Sequence, residues 1–225
     1  MSPCAISVII PTLNAAVHLG RCMAALDGIT DVIVADGGST DGTVEIATRL
    51  GAACLHSTQT GRGPQLIAGA GLARRDWLLF LHADSVLDPG WQAEAGAFMA
   101  DPANAFRAAA FTFALDDPSR AARWLEAGVR LRSRWLGFPY GDQGLLIHRR
   151  FYDALSGYKP IVIMEDVDII RRIGRARLTV LPTRAVTSAV RWQREGYLAR
   201  SSRNLACLAL YYAGLPPHRI KRLYG

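Results

Sequence analysis

In the run LLFLHADSVLD (78–88) a strongly apolar stretch stops at a histidine and an aspartate two positions apart. In an extended chain alternate side chains share a face, so His82 and Asp84 are expected to point the same way, with Ala83 opposite. An imidazole there can ligate a borderline ion such as Mn²⁺, hydrogen-bond a phosphate or ribose, or be satisfied locally. Three other clusters carry chemistry-bearing residues: PTLN (11–14), DGGSTDGT (36–43) and MEDVDIIRRIG (164–174). A fourth, GRGPQ (61–65), offers Arg62 on a glycine-flexible turn ahead of a helix, a setting that suits an anion.

Most of these clusters follow short apolar runs. Residues 6–11, 31–36, 53–57 and 77–81 read as strands, and 17–26, 43–50 and 64–73 read as helices between them. That alternation predicts βαβ units and a mostly parallel central sheet flanked by helices, an α/β fold. Open α/β sheets bind ligands at the carboxyl ends of their strands, so PTLN, DGGSTDGT and HADS should converge. The second half is less regular. A strand is expected at 108–115, a long helix at 119–136, a strand at 144–148, a helix opening at Glu165 and short strands near 178–181. Residues 197–213 read as a helix with Leu198, Leu205, Leu208 and Tyr212 on one face.

Charge divides the chain. Residues 1–100 hold 5 basic and 9 acidic side chains, whereas 101–225 hold 21 and 10, so the second half must face an anionic partner or present a solvated basic face. The four cysteines form no CxxC pair and no ligand cluster, which predicts buried free thiols in a reducing compartment. MSPCAISVII reads as a buried strand rather than a signal peptide. The longest weakly charged segment, 204–217, falls short of the ~20 residues needed to span a bilayer. A cytoplasmic protein is expected.

The common nucleotide cradles are missing: no glycine precedes a lysine, as a P-loop requires, and GRGPQL has Leu66 where the dinucleotide fingerprint needs its third glycine. PTLNAAVHLG also lacks the glycine-rich basic loop of a sugar-nucleotide pyrophosphorylase. Instead SVIIPTLN, VIVADGGSTDGT, FLHADS and MEDVDIIRRIG, in that order, resemble the nucleotide-sugar-dependent glycosyltransferases of family 2, which have the Rossmann-like GT-A fold. FLHADS, YGDQG and the ending YYAGLPPHRIKRLYG look most like a small bacterial subgroup of uncertain substrate.

The resemblance implies a single GT-A domain over 1–225, with a nucleotide-sugar-binding half (1–100) and an irregular acceptor-side half (101–225). It implies that Asp36, with Pro11, Thr12 and Asn14, lines the pocket for the nucleotide base. It also places Arg62 on the diphosphate or ribose. Asp84 stands at the last carboxylate of the family's DxD motif, which binds a divalent cation, Mg²⁺ or Mn²⁺. His82 departs from that motif, and support of the site is its expected role. A hard cation takes only one or two protein carboxylates, so a single Asp can suffice. Asp166 is implied as the general base, with Glu165 as its substitute, although acids at the start of a helix and Arg171 and Arg172 at its end complement a helix dipole without any chemistry. Asp142 and Gln143 are expected near the donor sugar and acceptor. Arg191 and Trp192 match the end of the QxxRW motif of processive members, but Ser188 replaces its Gln, so non-processive transfer is expected.

The reaction thus implied is inverting transfer of one sugar, from a UDP-sugar donor, to a hydroxyl acceptor that can be lipid-linked. On 119–136, Arg120, Arg123, Arg130 and Arg134 form one stripe beside Trp124, Leu131 and Trp135. Such a helix can lie on the anionic inner face of a membrane, or bury its tryptophans and solvate its arginines. The alternative from another class is a catalytically idle nucleotide- or membrane-surface-binding protein that has kept the fold. Nucleic acid ranks last as a partner, because no RNA- or DNA-binding motif accompanies the arginines.

Overall fold

The computed structural model describes residues 5–133 and 139–224. Eight strands form one sheet in the order β3-β2-β1-β4-β7-β6-β8-β5, with strands from both halves of the chain. In the first half, β1 (Ile6–Thr12), β2 (Asp31–Asp36), β3 (Ala53–His56) and β4 (Trp77–Phe80) run parallel, joined through α1 (Ala16–Ala24), α2 (Thr43–Arg49) and α3 (Arg62–Leu72). Every residue of β1, β2 and β4 is buried, as an apolar strand covered on both faces requires. Side-chain alternation divides the core. Val8, Ile10, Leu79 and Leu81 pack with Trp91 and Phe111 on one face, and Ile9, Leu78 and Phe80 with Leu66, Phe151 and Ile169 on the other.

β5 (Ser85–Leu87) and α4 (Trp91–Ala100) follow, and neither is legible as a separate element in the sequence. β6 (Ala108–Leu115) leads into α5 (Arg120–Leu131), capped by the Ser119 hydroxyl, which accepts from the Ala122 amide. Residues 134–136, the expected end of that helix, lie outside the described residues, as do Arg134, Trp135 and Cys4. β7 (Leu145–His148) runs antiparallel to β4 and β6 and continues into α6 (Arg149–Ala154), followed later by α7 (Glu165–Ile173).

The short strand expected near 178–181 is in fact β8 (Leu178–Thr187), ten residues long. Pro182, which lacks a ladder donor, sits where the pairing with β6 slips from Phe111↔Leu181 to Thr112↔Arg184. The Thr112 hydroxyl donates to the Leu181 carbonyl across the irregularity, and the strand resumes in parallel pairing as far as Thr187.

The chain ends in α8 (Val190–Glu195), α9 (Tyr197–Tyr212) and α10 (Pro217–Tyr224). On α9 the apolar stripe is divided, and Leu208 packs half-buried against Ile163, Met164 and Val167. Leu198, Leu205 and Tyr212 are exposed, while Arg200 and Cys207 are buried. On α5 the reading in which tryptophan is core fails for Trp124, which is 79% exposed. Nor is Arg123 simply solvated, because it pairs with Glu126 and donates to the carbonyls of Leu115 and Asp117. Cys22 and Cys207 are buried thiols, but Cys54 is exposed. No helix among the described residues is long and apolar enough to cross a membrane.

Candidate active site

Two groups of side chains gather at the carboxyl ends of the central strands. The first is built around Asp36, the last residue of β2. One carboxylate oxygen accepts from the hydroxyls of Thr12 (2.9 Å) and Ser39, and the other accepts from the amides of Gly38 (2.9 Å) and Ser39 (2.8 Å). Burial acts most strongly on this carboxyl and pushes its pKa up, but the bonds from Ser39, Thr12 and Gly38 together outweigh it and hold the group below the ordinary value.

Asn14 takes up a left-handed conformation (φ 52°), and its side-chain oxygen accepts from the Thr40 amide at 2.9 Å. Asp41 accepts from the amides of Ala16 and Thr43, which laces the loop after β1 to the loop after β2. Pro11 lies within β1 opposite Ala35. Beneath them Gln65, 4% exposed, donates its amide to the carbonyls of Thr12 (2.7 Å) and Ala35 (2.9 Å), holding the two strand ends together. Sequence reasoning missed this role, and the one signal for it is a polar residue on the inward face of α3.

The second group lines a cleft of about 660 Å³ and includes Arg62, His82, Asp84, Tyr140, Asp142, Asp166 and Arg191. The GRG turn places Arg62. Gly61 has φ 115°, and a Cβ on Gly63 would fall 2.4 Å from the Lys159 carbonyl oxygen, so only glycine lets the first turn of α3 dock on that backbone. His82 and Asp84 do face the same cleft, though not through strand alternation. β4 ends at Phe80, and the Ser85 amide donates to the His82 carbonyl at 3.1 Å, so the pair sits on a turn.

Arg62 Nη1 lies 3.4 Å from His82 Nε2, which places that imidazole nitrogen as the acceptor. Burial first, and then the Arg62 charge, push the His82 pKa down to about 4, so the ring is neutral near pH 7 and able to offer a lone pair.

Glu165 and Asp166 open α7 and diverge. Glu165 is fully buried, is absent from the cleft lining, and places Oε1 2.8 Å from Arg62 Nε as an ion pair. Asp166 turns to the cleft, where its Oδ2 accepts from the Gly141 amide at 2.9 Å. A Cβ on Gly141 would come within 2.7 Å of His82 Nε2 and 3.2 Å of Asp166 Oδ2, so residue 141 separates the two by the thickness of a bare backbone.

Asp142 faces the same space with a buried, unpartnered Oδ1. Burial pushes its pKa up to about 6, with Arg132 opposing and Asp166 and Asp84 adding to the rise. Its neighbour Gln143 instead enters the core, bonding Ser133 and the Phe111 carbonyl.

Among the described residues no three histidine, cysteine or acidic side chains gather as a metal cage. The Asp84 carboxylate, open to the cleft and free of hydrogen bonds and ion pairs among those residues, fits a hard cation that completes its coordination with phosphate oxygens and water. Beyond this polar end the cleft wall turns apolar, with Phe113, Trp124, Val129, Ile163, Trp192 and Leu205.

The sequence matches the profile described as Glycosyl transferase family 2 over residues 7–145, more than half of the chain. It is similar to a PGL/p-HBAD biosynthesis glycosyltransferase of Mycobacterium bovis, 38% identical over 91 residues covering 36% of each chain. Another relative is the uncharacterized glycosyltransferase RC0292 of Rickettsia conorii, 38% identical over 90 residues, 40% of this chain and 32% of that one. The matched stretch spans about a third of these curated relatives. Among solved structures, glucosyl-3-phosphoglycerate synthase from Mycobacterium tuberculosis aligns over 94% of this chain and 80% of its own, with TM-score 0.64 and 20% identity. S. aureus TarS 1-349 aligns over 100% and 69%, with TM-score 0.62 and 15% identity. At such identities the likeness is one of fold.

Proposed function

The chain belongs to glycosyl transferase family 2 and has the GT-A fold, and on that premise we propose that it moves one sugar from a nucleotide-sugar, carried on UDP, to an acceptor hydroxyl with inversion and without processivity. The observation that carries this reading is the meeting of Arg62, His82, Asp84 and Asp166, from three separate motifs, at the polar end of one cleft. The synthase among the structural neighbours was solved with Mn²⁺ and UDP-glucose, which supports a cation and a uridine donor here.

In this reading Asp166 accepts the proton of the acceptor hydroxyl, its carboxylate held in orientation by the Gly141 amide. The hydroxyl oxygen then bonds to the anomeric carbon as the bond to the diphosphate breaks on the opposite side, and the departing oxygen keeps the electron pair. Arg62 meets the diphosphate, and His82, accepting from Arg62 Nη1 through Nε2, helps to orient it. Asp84 would hold Mg²⁺ or Mn²⁺, which when bound would supply further positive charge against the departing group.

Glu165, buried and paired with Arg62, positions that guanidinium and does not substitute for the base. Pro11, Thr12, Asn14 and Asp36 form the side that receives the nucleotide base. The Asp36 oxygens already take four hydrogen bonds, so its part is to shape the loop around the base.

The apolar wall of the cleft and the exposed Trp124, Leu205 and Tyr212 suit an acceptor with an apolar portion, met at the inner face of an anionic membrane. Calorimetric titration with UDP, in Mn²⁺ and then in EDTA, tests the donor site. We expect metal-dependent binding that Asp84→Ala abolishes. Absence of UDP binding in either condition, or binding indifferent to both metal and Asp84, would overturn the donor assignment.

A further inference from the structure

A second cavity of about 540 Å³ opens between α8, α9 and the end of α10, lined by Val190, Arg191, Arg194, Glu195, Arg200, Arg203 and Tyr224. Four guanidinium groups therefore surround one concavity with a single carboxylate, a net charge of +3. Its floor is fixed. Arg200, 5% exposed, donates from Nη1 to both Glu195 oxygens (3.0 and 3.2 Å) and lies 4.8 Å from the Tyr224 ring centroid. Arg203 pairs with the same Glu195, so this carboxylate is fully engaged in holding two arginines side by side. Arg191 and Arg194 make no ion pair or hydrogen bond among the described residues. Their charges stay uncompensated at the rim, where a concave wall of low dielectric concentrates the positive field.

Arg191, Arg200 and Tyr224 also line the large cleft, so the two cavities share a wall. We propose that this pocket is an anion subsite for a phosphate group, carried by the acceptor at a position away from the reacting hydroxyl. The assignment to the acceptor rests on the transferase reading above; the anion site itself does not. Guanidinium is the group suited to this ligand, since its planar fork meets two phosphate oxygens at once.

The 225-residue chain is titrated calorimetrically with phenyl phosphate, and separately floated with phosphatidylcholine vesicles made with or without phosphatidic acid. Arg194 is the residue to change, because it lies outside the cleft lining and holds no partner in place. Arg194→Glu should weaken binding about tenfold or more, and Arg194→Lys should keep part of the affinity. Arg49→Glu on α2, an equal change of net charge elsewhere, should have no effect. Binding of phenyl phosphate identifies a soluble phosphoester as the source; capture by phosphatidic acid vesicles alone identifies a lipid headgroup.

Binding of neither probe, or equal losses in Arg49→Glu and Arg194→Glu, overturns the subsite. If Arg194→Glu fails to fold, Arg194→Gln takes its place with the same expected loss. UDP titration of the same wild-type sample keeps the two readings apart, since failure there sinks the donor site and leaves the anion result standing.

Discussion

Glu165 Oε1 stands 2.8 Å from Arg62 Nε, with Glu165 entirely withdrawn from solvent and Arg62 reaching from the pair to the His82 ring. Burial pushes the Glu165 carboxyl up to about 7, with Arg62 pulling against it and Asp166 adding to the rise. The folded chain therefore holds this proton more tightly than the unfolded chain, whose carboxyl titrates near 4.5. The Glu165 contribution to stability should fall as pH rises from about 4.5 to about 7 and be flat on either side. Glu165→Gln cannot titrate. In urea unfolding across that window the wild type should lose of order 1–3 kcal/mol more than the variant. Parallel curves would show that the buried carboxyl does not carry this pH dependence.

Gly141 is the spacer between His82 and Asp166, and its φ is not in the left-handed region, so alanine fits its backbone but not its surroundings. The added methyl must displace the imidazole or the carboxylate. Gly141→Ala should keep its thermal midpoint within a few degrees while turnover drops about a hundredfold, the expected consequence of misplacing reacting groups by about an ångström. Turnover close to wild type, with the fold intact, would mean that His82 and Asp166 need no such separation.

Much of this arrangement is legible in the sequence. β1, β2 and β4 are buried along their whole length and mostly apolar because they are covered on both faces, and such runs stand out against the loops that follow them. The sequence leads one to expect PTLN, DGGSTDGT and HADS to converge, whereas the structure gathers the first two around Asp36 and places His82 and Asp84 of the third with Arg62 and Asp166 in the cleft. What stays hidden depends on contacts between distant residues. Nothing local distinguishes Glu165 from Asp166, yet one turns inward to Arg62 and the other to the cleft. The alternation argument for His82 and Asp84 reaches the right face through the wrong backbone, since a turn directs them. Pro182 marks the end of a strand by local rules, but the paired ladder of β6 carries β8 past it. The shared face of Leu198, Leu205, Leu208 and Tyr212 on α9 does not tell which of them is covered: Leu208 packs on the core, the other three are exposed, and Arg200 and Cys207 are the buried residues.

Gln65 ties the ends of β1 and β2 by donating to the Ala35 carbonyl and to the Thr12 carbonyl, which also accepts from the Gly37 amide. Gln65→Leu removes both of these bonds and should cost about 2 kcal/mol, roughly 1 kcal/mol for each. Gln65→Glu should cost more at neutral pH, because a carboxylate would face two carbonyl oxygens with no proton to offer. Urea midpoints for the two variants check the order, and a Glu variant as stable as the Leu variant would imply that the strand ends separate to admit water.

Asp166 offers the sharpest separation of binding from chemistry. Its two oxygens accept from different amides, Oδ2 from Gly141 and Oδ1 from Val167. An asparagine can keep only one of these bonds and must turn its NH₂ toward the other N–H, which should cost about 1 kcal/mol of stability. With its oxygen toward Gly141, the Asp166→Asn side chain stays at the cleft with the same size, but it can no longer serve as the base that the proposed mechanism assigns to residue 166. Removing a general base typically costs 10²–10⁴ in rate, so kcat should fall about a thousandfold while UDP affinity measured by calorimetry stays unchanged. A variant that keeps its turnover would move the base elsewhere in the cleft, and Asp142, with its unpartnered Oδ1 facing the same space, would be the next carboxylate to replace.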